Sequence, residues 1–177
     1  MITQACQSLI PFAQARDLAD RISGRLESVT ERVEIVGAVR RWREAVPAVE
    51  LLVIPRRRQV LDLFGGTLEL APEFEAAMEG FPRLEGARGR RFEARQAPGP
   101  ATLHVYLATP ENWGLQLALR TGSDEFIRRY LQPAWVMAGF RLREDALWRN
   151  ERPIPMRSEQ ALFKALGMSF VAPEHRL

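Results

Sequence analysis

The chain has 177 residues, 46% of them hydrophobic, and carries 25 basic against 22 acidic side chains for a net charge of +3. That length supports one real core with at most a small appended lobe. The lone cysteine, Cys6, excludes an internal disulfide and a cysteine-built zinc site. No stretch approaches the roughly 18 apolar residues that span a bilayer, and no basic region followed by a long apolar run opens the chain. The expectation is a soluble, cytoplasmic protein in a reducing compartment, with no membrane partner.

In chain order, residues 10–29 place Ala13, Leu18, Ile22 and Leu26 at helical spacing behind Pro11, which predicts an amphipathic helix. The period then changes: residues 33–37 alternate and stop at Gly37, as a short strand does. After the basic segment Arg40, Arg41, Trp42 and Arg43, residues 49–54 read as a buried strand ending at Pro55. The two strands are expected to be neighbours, joined by an irregular turn through Pro47. Beyond the triple arginine Arg56, Arg57 and Arg58 come a Gly65-Gly66 turn and a helix over 68–78. Residues 90–96 and 103–108 alternate as two strands connected through Pro98-Gly99-Pro100. A helix is predicted over 124–140, ending near Gly139 and kinked or broken at Pro133. The remainder reads as a hairpin around 148–152 and a helix over 158–166 capped by Ser158.

The basic side chains carry a chemical signature of their own. Lys164 is the single lysine, so 24 of the 25 are arginines, whose planar forks pair bidentately with phosphate and stack on bases. High-GC coding would produce the same bias. Two-metal phosphoryl transfer, which sets two cations about 4 Å apart, requires clustered carboxylates because hard cations demand oxygen ligands. A strand with acids at i and i+2, plus a third acid on an adjacent strand, supplies them on one face.

At that pattern the sequence becomes recognisable. Gly37-Ala38-Val39-Arg40-Arg41, a spacer, then Ala48-Val49-Glu50-Leu51-Leu52-Val53 resembles the family X DNA polymerase motif of Gly-Ser-x-Arg-Arg, spacer, Asp-x-Asp and apolar strand. Residues 103–108 sit where that family has its third-aspartate strand, and Arg120-Thr121-Gly122-Ser123-Asp124 is similar to its Thr-Gly-Ser nucleotide-binding turn. Ser158-Glu159, Phe163, Leu166-Gly167 and Pro173-Glu174-His175-Arg176 look like the ending of its thumb. The resemblance runs from about Gln14 to Arg176 and extends to small phage or prophage members that use Asp-x-Glu.

It implies an α+β fold of the nucleotidyltransferase superfamily: a palm of mixed β-sheet with flanking helices over 1–120, and a small C-terminal thumb over 121–177. It also implies phosphate or nucleotide contacts at Gly37, Arg40, Arg41, Thr121, Gly122 and Ser123, with DNA along Arg56, Arg57, Arg58, Arg90 and Arg91. The departures fall on the catalytic positions, where the three acids correspond to Ala48, Glu50 and His104. Glu50 is then a residual catalytic acid and weak metal ligand, or simply the partner of a nearby arginine. His104 replaces a lost aspartate, since imidazole is a poor ligand for Mg²⁺.

Two readings of the Thr121-Gly122-Ser123 turn, nucleotide site and helix cap, are compatible. Trp113, Trp135 and Trp148 read as packing residues, whereas Trp42 stands among arginines at a family glycine position, where it would stack or plug an empty nucleotide pocket. The leading expectation is a polymerase-like module that binds nucleic acid or nucleotide without two-metal catalysis and needs no cofactor. An active polymerase using Mg²⁺ or Mn²⁺, its site completed by Glu34, Glu44 or Asp124, is the alternative. A protein-interaction scaffold on the same fold, with a protein partner, is the third.

Overall fold

The computed structural model describes residues 9–62, 65–89, 92–97 and 101–177; Cys6, Arg90, Arg91 and the Pro98-Gly99-Pro100 connection lie outside the described residues. Two compact units emerge, one from Met1–Ile35 with Glu44–Leu107, the other from Val36–Arg43 with Ala108–Leu177. The division expected between residues 120 and 121 differs from this one. The second unit begins at Ala108 and also takes in the Gly37 turn. Among the described residues no helix is long and apolar enough to cross a membrane.

The first unit opens with β1 (Ile10–Pro11) and α1 (Phe12–Glu27), which buries Ala15, Leu18, Ala19, Ile22 and Leu26 along one stripe. Then follow β2 (Thr30–Ile35) and, beyond the turn helix α2 (Gly37–Arg40) of the second unit, β3 (Ala45–Val46) and β4 (Val49–Pro55). After these come β5 (Arg57–Asp62), β6 (Gly65–Leu70), α3 (Pro72–Ala77), β7 (Arg83–Gly89), β8 (Phe92–Gln96) and β9 (Thr102–Leu107). Five strands make one mixed sheet in the order β2-β4-β9-β8-β7, in which the β4 and β9 pair alone is parallel.

Alternation explains the sheet. Leu51, Val53, Leu103 and Val105 are fully buried on one side, and α1 packs against β2 and β4. Burying each such side chain stabilises the unit by about 1.5–3 kcal/mol. Arg95 of β8 is also buried, donating from Nη1 to the carbonyls of Met78 and Phe81 at 3.2 and 3.1 Å. It thereby ties together the C-cap of α3 and the turn that follows it, where carbonyls have no partner within the helix.

Two expectations fail here. The helix predicted over 68–78 is a strand to Leu70 and a helix only from Pro72, because proline suits a helix's first turn and disfavours helix in the residue before it. Gly65 and Gly66 stand in β6, Gly65 opposite Asp62, rather than forming a turn by themselves.

The second unit holds α2, α4 (Trp113–Thr121), α5 (Asp124–Phe126), a π-helical turn Ile127–Leu131, and α6 (Gln132–Met137). The strands β10 (Arg141–Arg143), β11 (Ala146–Arg149) and β12 (Arg152–Ile154) follow, then α7 (Glu159–Ala165) and a 3₁₀ turn Pro173–His175. The break expected at Pro133 takes the form of the π turn just before it. Proline has no N–H for the preceding turn, and a one-residue widening accommodates the loss. Gly139, with φ +74°, ends the helix as expected, and the Phe140 N–H reaches back to the Trp135 carbonyl at 2.7 Å. Leu115, Phe126, Leu131, Trp135, Leu147 and Phe163 lead the core of this unit.

Candidate functional site

The face of the mixed sheet opposite Leu51 and Val53 is where the sequence motif converges. In the parallel register of β4 and β9, Glu50 stands opposite His104 and Leu52 opposite Tyr106, so these side chains share a side. The Tyr106 hydroxyl donates to Glu50 Oε1 at 3.1 Å, and His104 Nδ1 lies 3.9 Å from the same oxygen. Ala48, two residues before Glu50, is buried and offers a methyl group. Glu34 of β2, opposite Leu52, lies on the same face one strand away. Glu44 is exposed ahead of β3.

This donor set does not fit a pair of hard divalent cations. Glu50, already accepting from a phenol, stands beside an imidazole with Glu34 a strand away, whereas bridging two ions takes several oxygen ligands at octahedral spacing. Among the described residues no three His, Cys, Asp or Glu side chains gather in a group able to hold a metal. The sequence reading missed Tyr106, although its place two residues beyond His104 on an alternating strand was the available signal.

The arginines of the Gly37 turn belong to the second unit. Gly37 has φ +65°, a backbone that L side chains adopt at a cost, and it admits α2 directly after the extended Val36. Arg40 then donates from Nη1 to the Thr121 hydroxyl at 2.7 Å and, through both terminal nitrogens, to Glu159 at 3.1 and 2.8 Å. Arg41 Nη1 donates to the Thr121 carbonyl at 2.5 Å.

Glu159 also accepts from Arg176, whose side chain is fully buried, stacked over Phe163 and Phe170 and bonded to the Val171 carbonyl. A buried carboxylate thus lies between two guanidinium groups. Burial pushes its pKa upward, but the hydrogen bonds and charges of Arg40 and Arg176 together outweigh that and hold it below the ordinary 4.5. Nothing local in the sequence marks this trio, whose members are 119 and 17 residues apart.

The Thr121-Gly122-Ser123 turn is equally engaged inside the fold. The Gly122 N–H goes to Ala118 and the Ser123 N–H to Arg176, both to carbonyls, while Ser123 Oγ caps the next helix by accepting from Phe126 N at 3.0 Å. A Cβ on Gly122 would sit 2.9 Å from the Phe126 ring and 3.3 Å from the Ala118 carbonyl. Packing inside the unit therefore accounts for that glycine. Trp42 adopts φ +58° and is 67% exposed, so it fills no pocket.

Of the triple arginine, Arg56 turns back to the Thr30 carbonyl at 3.2 Å, while Arg57 and Arg58 are exposed on alternate sides of β5. Charge is distributed unevenly between the units. The first has 12 basic and 14 acidic residues, net −2, and the second 13 and 8, net +5.

Residues 116–177 match the family model described as DNA polymerase beta thumb. The fold is similar to the crystal structure of Leishmania infantum polymerase beta in a ternary P/T complex, with a TM-score of 0.72 and 18% sequence identity over 96% of this chain and 77% of that one. No curated protein matches the sequence. The mixed sheet with flanking helices and the C-terminal lobe are thus similar in fold to polymerase beta, of the palm and thumb kind that the sequence resemblance implies.

Proposed function

We propose that this protein binds nucleic acid or a nucleotide on a polymerase-like fold and does not perform two-metal phosphoryl transfer. The observation that carries the reading is the β4 and β9 register, which sets Glu50 beside His104, with the buried Ala48 methyl just ahead of β4. Fold alone does not confer an activity; the groups at the site do.

The positive side supports a polyanionic ligand. Arg40, Glu159 and Arg176 sum to +1, and Arg41 raises the neighbourhood of the Thr121 turn to +2. The surrounding unit carries net +5, and such fields concentrate phosphate-bearing ligands. In this reading Gly37, Arg41, Thr121, Gly122 and Ser123 form the phosphate side of the site and Arg40 positions it through Glu159. Arg57, Arg58, Arg90 and Arg91 track backbone phosphates. The partner is DNA or a nucleotide, and the similar polymerase beta is solved as a ternary P/T complex.

Fluorescence anisotropy with labelled DNA duplexes, single strands and nucleotides over a salt series tests the binding. Salt-dependent affinity is expected, and its absence for every ligand would overturn the reading. Primer extension with Mg²⁺ or Mn²⁺ tests the chemistry. No extension is expected from the wild-type chain, and incorporation abolished by Glu50→Gln would show a working centre. The double variant Ala48→Asp, His104→Asp restores two oxygen donors to the face, and a gain of extension would support the account of why activity is missing.

A further inference from the structure

The three strands β10, β11 and β12 form a sheet apart from the palm face, joined by two-residue turns at Glu144-Asp145 and Asn150-Glu151. Alternation sorts their side chains. Leu147 is fully buried and shares a side with Leu142 and Ile154, its register partners. The other side carries Arg141, Arg143, Trp148 and Pro153, with Arg141 directly opposite Trp148 and Pro153 on its far flank. Trp148, expected from the sequence to be a packing residue, is only half-buried.

The Arg143 guanidinium lies over the Trp148 ring at 4.9 Å from its centroid and pairs with Glu151 at 3.1 Å, while the indole N–H donates to the Arg143 carbonyl. Arg149 alternates to the Leu147 side, where it extends across the buried Phe140 at 4.8 Å. Together Arg141, Arg143, Trp148, Arg149 and Glu151 line a pocket of about 230 Å³. Its lining carries three guanidinium groups and one carboxylate beside an aromatic plane.

We propose that this pocket binds single-stranded nucleic acid, an unpaired base stacking on the Trp148 and Arg143 pair while Arg141, and Arg149 from the other side of the sheet, hold the adjoining phosphate. The two halves of the pocket select that ligand together. A free anion makes no use of the indole, and a duplex keeps its bases stacked on one another, whereas a single strand presents base planes and phosphates in alternation. Guanidinium forks suit phosphate oxygens bidentately and extend the stacking surface. The inference goes beyond the site at Glu50 and the Gly37 turn, because every residue it uses lies between Gly139 and Pro153.

The test is anisotropy of a labelled oligothymidylate of about 10 nucleotides, within the 4–16 span of single-strand sites, bound to the full chain. Trp148→Ala is expected to weaken binding roughly 5- to 150-fold, and Trp148→Phe to restore most of it. Arg141→Ala with Arg149→Ala should lower the slope of log affinity against log salt by about 1.4. Circular dichroism melts confirm that each variant is folded, and Trp148→Phe keeps the test decisive if Trp148→Ala is not.

Unchanged affinity in Trp148→Ala, equal affinity for a blunt duplex, or displacement by inorganic phosphate at equal phosphate concentration would each overturn the inference. If these variants bind normally while Arg41→Ala does not, this inference falls and the proposed function stands. If the wild-type chain binds no nucleic acid or nucleotide, both fall.

Discussion

Replacing Glu159 by glutamine removes the carboxylate between Arg40 and Arg176 while nearly preserving its shape. Glu159 and Arg176 are 4% and 0% exposed and Arg40 18%, so solvent cannot take over the role of the missing charge. Breaking a buried ion pair from one side costs about 3–5 kcal/mol, since the remaining cations stay desolvated and uncompensated. For a chain of this length that corresponds to a fall of roughly 6–20 °C in melting temperature at neutral pH. The wild-type acid limb carries a second signature. A carboxyl whose pKa is lower folded than unfolded contributes fully above the ordinary 4.5 and loses that contribution as pH falls through the lowered value. Melts of both proteins over a pH series should therefore be far apart at neutral pH and converge in acid, where the protonated acid resembles the amide. A loss below about 1 kcal/mol at neutral pH, or curves that stay parallel into acid, would refute the argument that this trio holds the second unit together.

Other substitutions probe the same physics. Gly114→Ala should destabilise by about 3 kcal/mol in urea unfolding, because its Cβ would stand 2.1 Å from the Ser158 carbonyl carbon, which is backbone. Glu151→Gly should stabilise by about 1 kcal/mol: φ is +56° there, and the exposed pair with Arg143 that is lost contributes little. Arg95→Met should cost about 1–3 kcal/mol, because the buried Phe81 carbonyl loses the guanidinium donor while the Met78 carbonyl keeps the Phe81 N–H, measured by the same denaturation.

Strands with one buried side were legible in the sequence, because Val49 to Ile54 and Leu103 to Ala108 carry period-two or continuous apolar patterns that only a sheet uses economically. The helix α4 was not legible, since Trp113 to Ala118 are buried on every side and show no polar stripe to set a period. The acidic, apolar run into α3 misled for the opposite reason: its composition favours helix, but pairing with β5 takes Gly65–Leu70 into a strand. At the candidate site, the strand periods put Glu50 and His104 side by side in the β4 and β9 register. They could not reveal that Arg40 has Glu159 as its counter-ion, because a contact across 119 residues leaves no local pattern.

The discontinuity of the second unit bears on how such lobes can be exchanged. A fragment beginning at Ala108 would leave Glu159 with one guanidinium instead of two and strip the Thr121 hydroxyl of its donor. Grafting this lobe onto another protein therefore requires transplanting the upstream octapeptide Val36–Arg43 with it, and recombination at a single crossover would produce a lobe with its electrostatic keystone missing.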